Sequence, residues 1–233
     1  RLVRDGQGEI IVVDSGSADR TIEIAKSHGA KVFIEPWKGF AAQKNSAIDK
    51  ASCGWVLQLD ADEVLEPALV LEIQGALKND AVSQGFWIPR KNFFLGRWIK
   101  HGGFYPDPKL RLIRRGAGRF EDYGAHPTIK INGPTGQFKS ALVHNAYPTL
   151  RGYIDHMNSY SSMGATVAVE KGYRRFSLSN IVARPLLTFF YNYFVRLGFL
   201  DGREGLLLHL YHAVYVSWKY SKAWELSRNS PKD

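Results

Sequence analysis

The sequence lacks the features that staple secreted proteins or anchor membrane proteins. Its 233 residues include one cysteine, Cys53, so no disulfide can form within the chain; stability must come from packing, as is typical of a reducing compartment. The longest charge-free apolar runs, 185–195 and 205–218, are shorter than the ~20 residues that a membrane-spanning helix needs. The first residues, RLVRDGQGEI, do not form a basic start followed by an apolar stretch, so no signal peptide is predicted.

Negative charge is also scarce. The chain has 31 Lys and Arg against 22 Asp and Glu, a net charge of +9, within a composition (45% hydrophobic, 23% charged) that is ordinary for a globular domain. Residues 84–119 hold nine basic residues and one acid, Asp107, which is +8 for this segment alone. Aromatic residues are interleaved with the charges. The pattern favours a partner such as nucleic acid, anionic lipid or a phosphorylated substrate, or else is a solvated face over core aromatics.

Apolar runs that end in an acid alternate with helical patterns in the first part of the chain. The predicted order is strand 9–14 (EIIVVD), helix 18–28, strand 31–34, helix 40–51, strand 55–60 (WVLQLD) and helix 67–77. This rhythm predicts an α/β fold with a doubly wound sheet, in which ligands bind at the carboxyl ends of the strands. Short strands between 85 and 143 and helices from 149 onward follow.

Acidic residues follow two of the predicted strands. Asp60 and Asp62 come directly after WVLQL, and Asp14 ends EIIVVD. Two carboxylates at a strand end can reach one Mg²⁺ or Mn²⁺ ion, which keeps positions open for substrate phosphates. The alternatives are a solvated acidic turn at Asp60 and Asp62 and a helix cap at Asp14. The sequence has no G-x-G-x-x-G or Walker pattern, so a nucleotide would be held through a metal and side chains.

Several motifs together resemble one enzyme family. They are 9–33 (EIIVVDSGSADRTIEIAKSHGAKVF), 36–48 (PWKGFAAQKNSAI), 54–65 (GWVLQLDADEVL), 106–126 (PDPKLRLIRRGAGRFEDYGAH), 132–137 (NGPTGQ), 142–161 (LVHNAYPTLRGYIDHMNSYS) and 196–208 (RLGFLDGREGLLL). In order and spacing they resemble the family 2 inverting glycosyltransferases, in the bacterial branch that adds glucose or related sugars to the lipopolysaccharide inner core. The resemblance implies a Rossmann-like, glycosyltransferase A-type fold with a mixed sheet.

The resemblance also implies roles for individual residues. Asp14, with Ser15 and Gly16, would contact the uridine of a UDP-sugar, and Lys44 and Asn45 would lie behind the nucleotide. In the D-x-D motif, Asp60 would lie near the ribose, beside Ala61, and Asp62 would hold the divalent metal; Asp60 is the second candidate ligand. An inverting transfer needs a carboxylate base for the acceptor hydroxyl, for which Asp122 is favoured over Glu121. His126 and His144 match histidines of the branch, which implies a catalytic or substrate-binding role, for His126 above all; the alternative for each is a structural role.

The sequence departs from the family pattern at two places. Where the branch commonly has His followed by Glu, this chain has His126-Pro127, so the identity of the base stays open between Glu121 and Asp122. Only RLVRDGQG precedes EIIVVD, where family members have a further strand and helix, so the chain is expected to lack the N-terminal strand of the fold.

The remaining expectations concern domains and partners. We expect a catalytic domain over 1–148 that binds donor and acceptor, and a helical region over 149–233 whose amphipathic helices dock on a membrane. The predicted partners are a UDP-sugar, an anionic glycolipid acceptor and the inner face of the bacterial inner membrane, with a cytoplasmic location and no nucleic acid. Two alternatives remain: a basic nucleic-acid-binding module, and a non-catalytic scaffold of the same fold.

Overall fold

A computed structural model describes residues 8–79, 82–121 and 128–229 of the chain. The described residues pack into two compact units. One is drawn from Arg1–Ala61, Leu65–Pro89 and Pro108–Leu142, and the other from Asp62–Val64, Arg90–Asp107 and Val143–Asp233.

The first unit contains α-helices and strands in alternation, followed by a run of strands. In chain order the elements are β1 (Ile11–Asp14), α1 (Thr21–Ser27), β2 (Lys31–Ile34), α2 (Phe40–Asp49), β3 (Trp55–Leu57), β4 (Glu63–Leu65), α3 (Pro67–Asn79), β5 (Gly85–Ile88), β6 (Arg90–Phe94), β7 (Arg97–Trp98), β8 (Lys109–Arg114), β9 (Gly118–Glu121), β10 (Thr128–Ile131), β11 (Thr135–Gln137) and β12 (Leu142–Tyr147), of which β6, β7 and most of β4 and β12 belong to the second unit.

Strand pairing differs from the doubly wound sheet that the alternating pattern predicts. β1 pairs in parallel with β2, but β3 pairs with β8 and is antiparallel to it. β8 is also antiparallel to β5, and β5 is parallel to β11, so this four-stranded sheet is mixed. The α/β class with a mixed sheet is therefore confirmed. In the pairing of the described strands, β1, which ends at Asp14, and β3, which precedes Asp60, belong to separate sheets, and the strand that pairs with β3 is β8, from much later in the chain.

Strand β8 is the centre of the first unit because its two faces meet different helices. Leu112 packs with Leu69 and Ile73 of α3. Ile113, the next residue, packs on the other face with Ala41 and Ile48 of α2. Successive side chains of a strand point to opposite faces, so an apolar pair within KLRLIR is what lets one strand hold both helices.

The second unit combines a small sheet with helices. The sheet has the order β4-β12-β6-β7. Helix α4 (Leu150–Glu170) begins after Thr149, whose hydroxyl accepts a hydrogen bond of 3.1 Å from the Gly152 amide. After α4 come a π-helical segment (Ser179–Ala183), α5 (Arg184–Phe190), a second π-helical segment (Tyr191–Val195), a 3₁₀ turn (Gly198–Asp201) and α6 (Gly202–Asn229).

Helices α4 and α6 pack against each other and form most of the core of the second unit. Phe94, Tyr153 and Leu208 are buried together, and Ala165 packs with Ala223 further along the helices. The C-terminal helices that the sequence predicts are therefore confirmed. None of the helices in the described residues combines the length and hydropathy needed to span a bilayer.

Candidate functional site

The carboxylate of Asp14, at the end of β1, closes a tight turn. It accepts hydrogen bonds from the Gly16 amide (2.8 Å), the Ser17 amide (2.7 Å) and the Ser17 hydroxyl (2.6 Å). These bonds, that of the hydroxyl above all, lower the pKa of Asp14 from its ordinary value of 3.8. Gly16 has φ of 103°, a conformation that glycine adopts without strain. Asp14, Ser15 and Gly16 therefore form one preformed turn, and Asp14 caps this turn and not the following helix.

Asp60, three residues beyond β3, is held by two cations. Lys44 Nζ lies 2.6 Å from Oδ1, and Arg111 Nη2 lies 2.7 Å from Oδ2. Gln58 donates a further hydrogen bond of 2.9 Å to Oδ1 and accepts one from Arg111. Burial raises the pKa of Asp60, but the charges of Arg111 and Lys44 outweigh burial and bring the pKa well below 3.8. Asp60 is therefore ionised at neutral pH.

Arg111 is a site residue that the sequence analysis did not single out. Its side chain is 6% exposed and lies in β8, between Leu110 and Leu112. From the sequence, Arg111 stands out only as one of the nine basic residues of the segment 84–119. The available signal was a charged residue inside the otherwise apolar strand KLRLIR, because arginine is rarely buried without an anionic partner.

Lys44 and Asn45 are adjacent on α2 and contact different partners. Lys44 contacts Asp60 and lies 5.3 Å above the Phe120 ring. Asn45 uses both ends of its amide on the backbone of Phe120, donating to its carbonyl and accepting from its N–H, each at 2.9 Å. Asn45 thus ties α2 to β9. This places α2 beside Glu121, the last residue of β9.

The candidate base region is only partly described. Glu121 has its carboxylate 3.3 Å from Lys130 of the paired strand β10, and its side chain is partly exposed. The other two catalytic candidates, Asp122 and His126, lie outside the described residues.

Asp62, two residues after Asp60 along the chain, faces a histidine within the second unit. Its side chain is 45% exposed, and its Oδ2 lies 3.3 Å from His144 Nε2. The other ring nitrogen of His144, Nδ1, lies 2.7 Å from Asn92 Oδ1. Asn92 donates through Nδ2 to the Phe104 carbonyl (2.8 Å) and to Asp107 (3.1 Å), so its amide oxygen must be the atom that faces His144.

The orientation of Asn92 places a proton on Nδ1 of His144. An amide oxygen can only accept, so Nδ1 is the donor, and Nε2 is the ring nitrogen that faces the Asp62 carboxylate. A cation that takes the place of a proton on Nε2 would be bound by this nitrogen and by the Asp62 carboxylate oxygen, which are 3.3 Å apart.

The residues expected to hold Mg²⁺ or Mn²⁺ differ in how well they fit the ion. Within the described residues no three acidic, histidine or cysteine side chains group together as a metal site. Asp60 fits poorly, because Lys44 and Arg111 occupy its two oxygens. Asp62 and His144 fit, because an exposed carboxylate and an oriented imidazole nitrogen are both ligands for a divalent cation.

A cavity of about 140 Å³ in the second unit adjoins the same histidine. Its polar lining includes Arg90, Asn92, Asp107 and His144, and Phe104 and Tyr147 contribute aromatic surface. Arg90 is held by Asp107 at 2.5 Å and by the buried carboxylate of Glu63 at 3.4 Å. The charged part of the cavity wall is therefore fixed by ion pairs, and most of the remaining lining is apolar.

Comparison with known proteins gives one family. Residues 4–158 match the family model described as "Glycosyl transferase family 2". The chain is 31% identical to the lipopolysaccharide core biosynthesis glycosyltransferase LpsC of Rhizobium meliloti, over 93% of this chain and 83% of that protein. It is 27% identical to an uncharacterized glycosyltransferase of Rickettsia typhi, over 98% and 82% of the two chains. Among solved structures, S. aureus TarS matches with a TM-score of 0.45 and 14% identity, over 95% of this chain and 82% of that one.

Proposed function

Because this chain belongs to glycosyl transferase family 2 and is a glycosyltransferase, we propose that it moves a hexose, with glucose as the first candidate, from a UDP-sugar to a glycolipid acceptor. The acceptor proposed is the lipopolysaccharide core or a related glycolipid, and the transfer inverts the anomeric centre. The observation that carries the proposal is how the two D-x-D acids are held. Asp60 forms ion pairs with Lys44 and Arg111, and Asp62 faces His144.

We assign binding of the UDP-sugar donor to Asp14 at the end of β1 and to Asp60 in the loop after β3. The turn at Asp14, Ser15 and Gly16 is assigned to the uracil and ribose. Its amides are already bonded to the Asp14 carboxylate, so the loop needs no ordering by the ligand. Asp60 and Lys44 are assigned to the ribose and the diphosphate, with Asn45 holding α2 in position through Phe120.

The metal is assigned to Asp62, supported by His144. When bound, Mg²⁺ or Mn²⁺ would neutralise the charge that develops on the departing diphosphate. Asn92 holds the Nδ1 side of the His144 ring, so that Nε2 is the nitrogen that faces Asp62. The carboxylate base that removes the proton from the acceptor hydroxyl is assigned to Asp122, with Glu121 as second candidate and His126 as a further substrate-contacting residue.

The acceptor half of the proposal is supported by charge and by the name of a relative. LpsC is described as an enzyme of lipopolysaccharide core biosynthesis, and such acceptors are anionic glycolipids. Lys91 and Lys100 lie 5.0 and 4.6 Å from the Trp98 ring and form a basic and aromatic surface suited to a charged sugar. A lipid-anchored acceptor places the enzyme at the inner face of the bacterial inner membrane, as a peripheral cytoplasmic protein.

Nucleic acid is not favoured as the partner of the basic segment. Arg90, Arg111 and Arg119 of that segment are paired with carboxylates of Asp107, Asp60 and Asp49. Such arginines are poorly placed to neutralise phosphates along a nucleic-acid backbone.

The test is release of UDP from UDP-glucose by the purified chain, with Mn²⁺ and a delipidated lipopolysaccharide core as acceptor, followed by NMR of the new glycosidic bond. We expect acceptor-dependent UDP release, an inverted anomeric configuration, and loss of at least ~100-fold in rate for Asp62→Asn. The matched control is Asp155→Asn, an exposed acid on α4 whose side chain is 73% accessible.

Two outcomes would contradict the proposal. UDP release that is equal in the wild type and Asp62→Asn would remove the role of the D-x-D motif. Absence of release from any nucleotide sugar, in a chain that is folded by circular dichroism, would favour the non-catalytic scaffold.

A further inference from the structure

One segment of the second unit exposes far more apolar surface than its surroundings. Residues 179–195 run without interruption through the first π-helical segment, α5 and the second π-helical segment. Five large apolar side chains, at intervals of four residues starting one residue before this run, are between 47% and 67% exposed: Leu178, Val182, Leu186, Phe190 and Phe194.

The four-residue interval forms one straight stripe because of the helix types. An α-helix has ~3.6 residues per turn, so a four-residue repeat slowly drifts around it. A π-helical turn, closed by bonds from residue i+5, holds more residues than an α-helical turn. Alternating π, α and π turns therefore keep a four-residue repeat on one face along the whole segment.

The opposite side of this segment is fixed against α6. The Ser217 hydroxyl donates a hydrogen bond of 2.8 Å to the Ile181 carbonyl. Arg184 donates to the Tyr220 hydroxyl and lies 4.9 Å from that ring, and Pro185 is buried. Packing thus determines which face points outward, and the apolar stripe is a property of the folded unit.

The charge of the same stretch is of one sign. Between Glu170 and Asp201 the chain has no acidic residue and five basic ones, Lys171, Arg174, Arg175, Arg184 and Arg196. An apolar stripe among positive charges alone matches an anionic lipid surface, where apolar side chains enter the acyl boundary and basic groups meet the headgroups. Two copies of this chain stacked through the stripe would bring like charges together, which opposes association.

We propose that residues 178–200 lie in the interface of an anionic bilayer, with the stripe from Leu178 to Phe194 inserted among the acyl chains. The proposal rests on the proposed function, because it supplies the contact that brings the enzyme to a lipid-anchored acceptor. The segment lies along the surface: its continuous helical run, residues 179–195, is shorter than the ~20 residues of a spanning helix, and its stripe covers one face.

The test is flotation of the full chain with vesicles made of equal parts phosphatidylglycerol and phosphatidylcholine, at low and high salt. We expect the wild type to float with these vesicles and less with pure phosphatidylcholine. Leu186→Asp combined with Phe190→Asp should lower the bound fraction at least ~10-fold, because two charges would have to enter the acyl boundary. The matched control is Leu71→Asp on α3, since Leu71 is 70% exposed but lies in the first unit.

A second variant avoids changes to the apolar face. Arg174→Gln combined with Arg175→Gln should weaken binding severalfold at low salt and leave the circular dichroism spectrum unchanged, because both side chains are exposed. Flotation that is equal for the wild type and the Leu186/Phe190 variant would overturn the proposal. So would a wild-type dimer in sedimentation equilibrium that this variant converts to a monomer, since the stripe would then be a contact between copies.

Failure of this inference and failure of the proposed function can be distinguished. Transfer to the delipidated core acceptor does not need a membrane. If the wild type does not float but transfers glucose to this soluble acceptor, only the membrane contact is wrong. If UDP release is absent while flotation is normal, the proposed reaction is wrong and the membrane contact stands.

Discussion

His144 Nε2 lies 3.3 Å from Asp62 Oδ2, while Nδ1 of the same ring is held at 2.7 Å by Asn92. The second acid of the D-x-D motif therefore faces a histidine whose orientation is determined by another residue. The sequence gives no sign of this contact, because Asp62 and His144 are 82 positions apart.

The first prediction concerns binding of the metal itself. We expect His144→Ala to weaken Mn²⁺ binding ~10- to 100-fold, since it removes one of two donors. Asn92→Leu should give a smaller loss, because it frees the ring while keeping the Nε2 atom. The measurement is electron paramagnetic resonance of free Mn²⁺ during titration, with UDP present, and Asp155→Asn is the control. Equal Mn²⁺ affinity in the wild type and His144→Ala would contradict the assignment.

The second prediction compares two arginines that both bind an aspartate. Arg111 is buried against Asp60, and Arg119 is 59% exposed against Asp49. Arg111→Met should lower the free energy of unfolding by ~2–4 kcal/mol. The reason is that the half-buried Asp60 carboxylate loses the Arg111 ion pair and keeps the one with Lys44. Arg119→Met should cost less than ~1 kcal/mol. Urea denaturation measures both, and equal losses would show that burial of the Arg111 pair contributes nothing.

The third prediction follows from the lowered pKa of Asp60. Its folded-state pKa lies below the ordinary 3.8, so the unfolded chain takes up the proton first as the pH falls. The stabilisation is complete above about pH 5 and is lost progressively as the pH falls below ~4. Urea denaturation between pH 6 and 2.5 should therefore show a shallower pH dependence in Asp60→Asn than in the wild type. An unchanged slope would contradict this.

The fourth prediction concerns Asn45. Both ends of its amide bond to the backbone of Phe120, so Asn45→Ala leaves two backbone groups without these partners. We expect the free energy of unfolding to fall by ~1–3 kcal/mol. Ser162→Ala on α4 is the control, because its hydroxyl donates to a carbonyl within its own helix and accepts from Lys222. Thermal unfolding of both variants is the measurement, and equal midpoints would contradict the role of Asn45.

Local structure in the first unit was largely predictable from the sequence. The strand predicted at 31–34 is β2, and the helix predicted from residue 40 begins at Phe40. The strand predicted at 55–60 ends earlier, at Leu57. Beyond Leu57 the chain still follows β8, because the Gln58 amide donates to the Arg111 carbonyl and the Gln58 and Asp60 side chains both accept from the Arg111 guanidinium.

Pairings between distant segments were not predictable. The period of an apolar run shows which residues are buried but not which strand lies beside them. The pattern of β3 therefore gave no sign that β8 is its antiparallel partner. The same holds for the site: the motif identified Asp60 and Asp62, whereas Arg111 and Asn92 enter only through the fold.

The turn at Asp14, to which we assign the uracil and ribose of the donor, has a further consequence for the speed of the proposed binding. Its carboxylate is bonded to the Gly16 amide and to Ser17 without any ligand. A loop that must first fold around its ligand slows association, whereas a preformed one does not. Nucleotide binding at this turn should then be limited by diffusion and orientation, and differences in affinity between donors should appear mainly in how fast each one leaves.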